Sequence, residues 1–200
     1  MDITLKERLI LDLFTINAIK FGDFKLKSGT MSPFYLDLRV LVSYPYLLEL
    51  TANVFWGEMR VFYFDVIVGV PYTAIPIATT IALKQNQHMI FVRKERKDHG
   101  TGRLIEGDFH TGQKAILLDD VITNGESKFE TIKPLEDAGL KVEDVIILLD
   151  RGQGGVELLN KRGYRCHAIF RIEEVFQILL KYKRVDKALI EKCIKYIKET

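Results

Sequence analysis

Short apolar runs rich in β-branched residues recur along the chain, and stretches of helical pattern separate them. The runs span residues 65–68, 89–92, 115–118, 145–149 and 166–170. Strands of this kind have no polar face, so other parts of the protein must cover both of their faces. Helices predicted at about 73–86, 125–138 and 154–162 supply that cover. The chain is therefore predicted to be α/β, with βαβ units around a mainly parallel sheet.

The two ends of the chain have a different pattern. Thr4 and Glu7 have the spacing of a capping box and predict a helix over about 5–20. Short strands are predicted at 24–27 and 34–38, and a helix led by Pro45 follows to about residue 60. Two lysine-rich helices are expected from residue 172 onward. Because no repeat or linker divides the chain, residues 1–200 are expected to form one domain.

Composition excludes several classes of protein. The 200 residues carry 29 basic and 27 acidic side chains, a net charge of +2, so a general affinity for nucleic acid or membrane surfaces is not expected. Cys166 and Cys193 fit no metal-ligand spacing and are typical of a reduced intracellular protein. Charged residues interrupt the N-terminal segment where a signal peptide would be apolar. A cytoplasmic location is expected, without a nucleic-acid or membrane partner.

The most informative segment is residues 115–127, an apolar strand followed by Asp119 and Asp120 and then by a loop containing Thr123 and Gly125. Ligands of open α/β sheets bind at the carboxyl ends of the strands. Free N–H groups where a helix begins favour phosphate, and adjacent carboxylates favour hydroxyls or a cation, as in a sugar phosphate with Mg²⁺. A simple turn and helix cap is an equally open interpretation of the acidic pair.

A second segment, residues 93–103, contains five cations, one histidine and two glycines. This composition predicts a mobile basic loop that closes over a polyanion such as pyrophosphate and excludes water. A solvated run of charge is the alternative, and a hairpin that grips nucleic acid is disfavoured because no aromatic residues are interleaved with the cations.

Three smaller segments complete the pattern. Lys27 lies in a tight turn before Phe34 and Tyr35, and residues 69–74 form a strand-to-helix loop of small residues. Arg151 follows the strand at 145–149, which places it at the same edge of the sheet as Asp119. Each segment alone is typical of ordinary structure, but their convergence on one edge indicates a binding site.

In this order the segments resemble the orotate phosphoribosyltransferases, a family of the type I phosphoribosyltransferase group, over nearly the whole chain. The Leu118-Asp-Asp-Val-Ile-Thr123 segment is shared widely within the group. Lys27-Ser-Gly, Arg93-Lys94-Glu, Lys97-Asp-His99-Gly and Leu149-Asp-Arg151 are more specific to the orotate enzymes. Residues 69–74 and the lysine-rich C-terminal helices are similar to the phosphoribosyltransferase half of bifunctional UMP synthase. A fused or associated orotidine monophosphate decarboxylase is therefore a further expectation.

The resemblance implies that orotate and phosphoribosyl pyrophosphate react with Mg²⁺ to give orotidine 5′-monophosphate and pyrophosphate, in pyrimidine biosynthesis. The implied catalytic residues are Lys97, His99, Asp119 and Asp120, and the implied orotate contacts are Lys27, Phe34, Tyr35 and Arg151. The implied contacts to the phosphoribosyl donor are Tyr72, Thr73, Arg93, Lys94, Lys97, His99, Asp119, Asp120, Val121, Ile122, Thr123, Asn124, Gly125, Glu126 and Ser127. No direct protein ligand for the metal is implied, and Asp119 or Asp120 is expected to reach it through water.

The resemblance also implies an architecture: residues 1–40 form a hood over the base site, and residues 172–200 form a C-terminal helical pair. It further implies a homodimer in which the loop 94–110 reaches the neighbouring subunit's site. Two positions depart from the family. Glu126 replaces a small or hydroxyl residue in the phosphate loop, and Thr73 stands where bacterial enzymes often carry lysine.

Two alternatives stay open. One is a regulator or inactive relative that binds the donor without reacting, and Glu126 keeps this alternative open. The other is a transferase for a purine or for uracil, which Arg151 disfavours because a neutral base has no carboxylate to meet it.

Overall fold

The computed structural model describes residues 3–26, 29–94 and 104–199. The helices are α1 Leu5–Thr15, α2 Pro45–Met59, α3 Ala74–Gln85, α4 Glu126–Asp137, α5 Gly155–Lys161, α6 Ile172–Lys181 and α7 Lys187–Glu199, with a 3₁₀ helix over Leu38–Ser43. The strands are β1 Ile19–Lys25, β2 Met31–Leu36, β3 Val66–Gly69, β4 Met89–Val92, β5 Ile105–Glu106, β6 Lys114–Ile122, β7 Lys141–Asp150 and β8 Arg165–Arg171. Within these ranges no helix combines the length and the apolar character needed to cross a membrane.

Six strands form the central sheet in the order β5-β4-β3-β6-β7-β8. The pairs β3–β4, β3–β6, β6–β7 and β7–β8 are parallel. The predicted mainly parallel α/β sheet, flanked by helices, is confirmed. The edge strand β5 was not predicted; it pairs antiparallel with β4. Its two residues are too few for any period to show in the sequence.

Both faces of the sheet are buried, as the apolar runs required. Successive residues of β6 belong to different cores: Ile116 and Leu118 pack with the helices α1, α2 and α6, whereas Leu117 packs on the other side with Ile132 of α4 and Leu159 of α5. Side chains alternate between the faces of a strand, so a run without polar residues fills both cores at once.

The N-terminal hairpin differs from the prediction in its boundaries. Helix α1 ends at Thr15 instead of about residue 20, because Asn17 is left-handed with φ +57° and the Ala18 N–H bonds back to the Leu13 carbonyl. Strand β1 then begins at Ile19 and pairs antiparallel with β2. Hydrogen bonds between β1 and β2 determine where this hairpin begins. The helical periodicity of one segment does not predict such bonds.

Strand β6 is also longer than predicted. The sequence placed its end at residue 118, but Asp119 through Ile122 continue the strand because β7 stays paired alongside as far as Ile122 and Asp150. Strand β3, on the other side of β6, ends its pairing at Leu118. The acidic pair therefore lies within the strand, on a section that has lost one neighbour.

Glycines let two loops meet at this end of the sheet. Gly125 precedes α4 with φ +81°, and a Cβ added there would lie 2.9 Å from the Gly155 carbonyl oxygen. A Cβ on Gly155 would collide with the Thr123 carbonyl oxygen and with Ile122 Cγ1. The loop after β6 and the first turn of α5 can approach this closely only where side chains are absent.

We predict that Gly155→Ala lowers the free energy of unfolding by about 1–3 kcal/mol, because the added methyl overpacks the contact with Thr123. Gly57→Ala is the matched control, since Gly57 lies within α2 and has open space around its Cβ position. That control should raise the free energy of unfolding by about 0.5–1 kcal/mol. Urea denaturation measures both, and equal effects of the two substitutions would contradict the close approach.

Candidate active site at the carboxyl edge of the sheet

The acidic pair borders an open space at the point where β3 stops. The Val70 N–H donates to the Leu118 carbonyl at 3.0 Å, after which the chain turns away into the loop before α3. Gly69 permits this turn, because a Cβ there would lie 2.8 Å from the Ala74 carbonyl oxygen. A cavity of about 510 Å³ results, and both Asp119 and Asp120 line it.

Asp119 is held by contacts on both of its carboxylate oxygens. Its Oδ1 accepts the Asp120 backbone N–H at 2.8 Å, and its Oδ2 forms an ion pair with Lys128 of α4. Lys128 Nζ also donates to the Val121 carbonyl at 2.9 Å. Both charged residues are buried, Asp119 at 3% exposure of the whole residue and Lys128 at 6%. The carboxylate therefore has a fixed orientation and a neutralising partner.

Asp120 is in the opposite electrostatic situation. Burial, and after it the neighbouring Asp119 carboxylate, raises the pKa of Asp120 well above its usual range. Lys128 and a hydrogen bond from Thr73 offset only part of this effect. The ionised form of Asp120 is thus disfavoured in the folded protein, and hydroxyl donors or a cation would stabilise it.

The predicted phosphate loop lies directly after β6. Thr123 and Asn124 are exposed, Gly125 precedes α4, and Glu126 and Ser127 are its first residues. The Glu126 N–H points at Asn124 Oδ1, 3.4 Å away, and the Glu126 side chain is exposed. Backbone N–H groups in the first turn of a helix attract a phosphate, so this loop suits one.

The basic side of the cavity comes from the ends of β3 and β4. Lys94 Nζ lies 4.8 Å from the ring centre of Tyr72, which follows a cis peptide bond after Pro71. Arg93 lines the same cavity and pairs with Glu106 of β5 at 3.1 Å. Strands β4 and β5 pair antiparallel on either side of the predicted basic segment, of which residues 95–103 lie outside the described residues. Arg93 and Lys94 line the same cavity as the acidic pair.

Arg151 follows β7 and lies against the N-terminal hairpin. Its backbone N–H donates to the Ile122 carbonyl at 3.0 Å, and its Nη2 donates to Ser32 Oγ at 3.2 Å. Its guanidinium carbon lies 4.7 Å from the Phe34 ring centre. The side chain is 7% exposed, burial lowers its pKa, and its Nε has no hydrogen-bond partner in the part of the chain that the structure describes. A buried guanidinium with an unused donor favours an acceptor-rich ligand.

The two aromatic residues predicted to contact the base have different positions. Phe34 has no accessible surface, because its ring packs against Phe176 and the Arg151 guanidinium. Phe34 therefore supports Arg151 and does not face open space. Tyr35 is partly exposed, and its hydroxyl lies 3.5 Å from an amino group of Arg39.

Three predicted site residues, Lys27, Lys97 and His99, lie outside the described residues. The sequence interpretation missed Lys128 and Arg39. Lys128 occupies a core-facing position of α4 together with Ile132 and Leu135, and a lysine at that spacing was the available signal. Asp37, and to a smaller extent Asp120, raise the pKa of Arg39, so its charge also reaches the acidic pair.

The donor set offers little to a metal on its own. Across residues 3–26, 29–94 and 104–199, no three His, Cys, Asp or Glu residues are grouped as metal ligands. Lys128 already neutralises Asp119, whereas Asp120 has no ion pair within the described residues. This arrangement fits an Mg²⁺ ion that keeps waters and takes most of its oxygens from a phosphorylated substrate.

Known proteins resemble this chain over most of its length. No family model matches it. It is 40% identical over 193 residues to uridine 5′-monophosphate synthase of Bos taurus, covering 96% of this chain and 40% of that protein. It is 38% identical over 178 residues to orotate phosphoribosyltransferase of Chlamydia caviae, covering 88% of this chain and 86% of that protein. The structure of Leishmania donovani UMP synthase is similar with a TM-score of 0.90 and 33% identity, covering 98% of this chain and 42% of that one. The chain thus spans about two fifths of these two synthases.

The raised pKa of Asp120 predicts a pH-dependent effect of Asp120→Asn on stability. A carboxyl group whose pKa is raised on folding favours the folded state only while it is protonated, so stability falls as pH rises above about 3.9, the ordinary pKa. Asp120→Asn removes this loss and should raise the urea midpoint at about pH 9 with no gain near pH 3.5. The control Asp108→Asn, at an exposed position, should leave the urea midpoint unchanged both at about pH 9 and at about pH 3.5. A lower midpoint for Asp120→Asn at high pH would contradict the assignment.

Proposed function

The chain belongs to the orotate phosphoribosyltransferase family, and on that premise we propose that it transfers the phosphoribosyl group of phosphoribosyl pyrophosphate to orotate. The products are orotidine 5′-monophosphate and pyrophosphate, in pyrimidine biosynthesis. The observation that carries the choice of base is the buried Arg151 with its unpartnered Nε. Orotate differs from the other pyrimidine and purine bases in its carboxylate, which is the acceptor that such a guanidinium lacks.

The base site is proposed to lie between Arg151 and the N-terminal hairpin. Arg151 is oriented by Ser32 Oγ and by the Phe34 ring, so its remaining donors have a fixed direction. Tyr35 is placed at the rim of this site, and Lys27 completes it in the proposal. A transferase for uracil or a purine gains nothing from a buried cation here, which disfavours that alternative.

The donor site is proposed to run along the end of β6. Asp119 and Asp120 receive the ribose hydroxyls, and the N–H groups of residues 123–127 receive the 5′-phosphate. The exposed Glu126 contributes its backbone N–H, and its carboxylate stays in solvent. Hydroxyl groups donate to carboxylates, and N–H groups donate to phosphate, so each part of a ribose phosphate meets its complement.

The reaction breaks the bond between the anomeric carbon and pyrophosphate and forms a bond from that carbon to a ring nitrogen of orotate. Positive charge grows on the ribose ring and negative charge on the leaving pyrophosphate, so the main task is neutralising the leaving group. Tyr72, Arg93 and Lys94 are proposed to bind the leaving pyrophosphate, together with Lys97 and His99. The Thr73 side chain donates a hydrogen bond to Asp120, so this hydroxyl is directed at the acidic pair. Mg²⁺, when bound, neutralises pyrophosphate charge as a Lewis acid.

Assembly is the last part of the proposal. The chain is proposed to form a homodimer in which segment 94–110 completes the neighbouring site. Bifunctional relatives suggest an orotidine monophosphate decarboxylase joined to, or associated with, this chain. Residues 1–200 are proposed to act as a single phosphoribosyltransferase domain, with residues 1–40 covering the base and the helical pair 172–200 packed behind them.

The first prediction concerns the substrate. Orotate absorbance should fall only when enzyme, phosphoribosyl pyrophosphate and Mg²⁺ are all present, and adenine, hypoxanthine and uracil should not react. Arg151→Met should raise the KM for orotate about tenfold to a hundredfold, because a buried hydrogen bond to a charged group is lost. Arg60→Met at an exposed position is the matched control and should leave this KM unchanged. Donor binding without turnover of any base would favour the regulator alternative.

The second prediction concerns the shared loop. Lys97→Ala and Asp120→Ala proteins are each expected to be nearly inactive, since each lacks one part of every site. After subunit exchange at equal concentrations, about a quarter of the wild-type activity should return, because half of the dimers are mixed and each mixed dimer has one intact site. No recovery after exchange has been verified by native mass spectrometry would place the loop in its own subunit's site.

A further inference from the structure

Lys128 is an unusual residue for its position. It is the third residue of α4, on the face that Ile132 and Leu135 bury in the core. Its side chain is 8% exposed. Lysine is almost never buried to this degree unless it is paired, because removing an ammonium ion from water is costly. Its position therefore calls for a compensating interaction.

The compensation comes from the strand that carries the acidic pair. Lys128 Nζ forms an ion pair with Asp119 Oδ2 and donates to the Val121 carbonyl at 2.9 Å. These contacts fix the ammonium group against β6. Lys128, Asp119 and Asp120 all line the cavity at the end of β3. The lysine is thus part of the wall to which a ligand of the acidic pair would bind.

The charge of the pair makes this position significant. Two adjacent carboxylates carry a charge of −2 when both are ionised, and that charge repels a donor that bears a phosphate and a pyrophosphate. The other charged groups near the pair or lining the same cavity are Arg39, Arg93, Lys94 and Glu130. None of these four forms an ion pair with Asp119 in the described part of the chain, whereas Lys128 does.

We propose that Lys128 is a positioning residue for the phosphoribosyl donor: it orients and neutralises Asp119, so that the acidic pair carries one negative charge fewer when it meets the ribose hydroxyls. The Lys128 ammonium group also occupies the place that a cation would take beside Asp119 and Asp120. The pair is therefore not expected to bind a divalent ion in the absence of substrate. This inference rests on the proposed function, because it concerns the donor half of that reaction.

Lys128→Met tests the proposal, since methionine keeps most of the buried stem and removes the charge. The KM for phosphoribosyl pyrophosphate should rise about tenfold or more, while the KM for orotate and kcat stay within about threefold. Lys128→Arg should restore most of the donor affinity. Lys133→Met is the matched control, because Lys133 lies on the exposed face of the same helix and pairs with Asp137 at 3.2 Å. A purely structural role would change both KM values together and would not be rescued by arginine.

A second measurement needs no turnover. Mn²⁺ alone should bind Lys128→Met about tenfold or more tightly than wild type, as measured by electron paramagnetic resonance, because the pair then lacks its internal cation. If methionine prevents folding, Lys128→Gln keeps a donor for the Val121 carbonyl and removes only the charge. Either an unchanged donor affinity or an unchanged Mn²⁺ affinity overturns the proposal.

Failure of the proposed function can be told apart from failure of this inference. Calorimetry measures the binding of phosphoribosyl pyrophosphate to wild type and variants without any base. A wild-type protein that binds the donor but converts no orotate would count against the proposed function alone. A wild-type protein whose donor affinity equals that of Lys128→Met would count against the role of Lys128 alone.

Discussion

The site depends on a difference in length between neighbouring strands. Strand β6 stays paired with β7 as far as Ile122 and Asp150, whereas its pairing with β3 ends at Leu118. Residues 119–122 of β6 therefore have a paired strand on one side only, and the first two of them, Asp119 and Asp120, line the cavity. Backbone held in a strand is rigid, so Asp119 and Asp120 are presented to that space with little freedom to move.

The other parts of the site converge because the neighbouring connections are short and close together. Glycines at 125 and 155 let the loop after β6 touch the first turn of α5. The Arg151 N–H donates a hydrogen bond to the Ile122 carbonyl. This bond fixes the position of Arg151 relative to β6, the strand that carries the acidic pair. A base on one side and a ribose phosphate on the other would thus be held by adjoining pieces of backbone.

The buried charges show how such a site is compatible with a folded protein. A cavity lined by two carboxylates destabilises the unliganded fold and repels a polyanion. Lys128 neutralises one of these charges through its ion pair with Asp119. The ionised form of Asp120 stays unfavourable until a ligand supplies hydrogen-bond donors. On the base side, Arg151 is likewise left with an unused donor at Nε. Asp120 thus lies where the donor is proposed to bind, and Arg151, of opposite charge, lies where orotate is proposed to bind.

The sequence by itself determined the mainly parallel sheet, the alternation of most of its strands with helices, and the edge at which the candidate site lies. Apolar runs without a polar face have few other solutions, and the carboxyl ends of parallel strands share one edge. It also singled out Asp119, Asp120 and Arg151, because residues that directly follow parallel strands converge on one edge of the sheet. Only the tertiary structure decided that the acidic pair lies within β6, that Phe34 is a support under Arg151, and that Lys128 neutralises Asp119. Each of these features depends on a contact between two different elements of the fold. The pattern of residues within one segment does not predict such contacts.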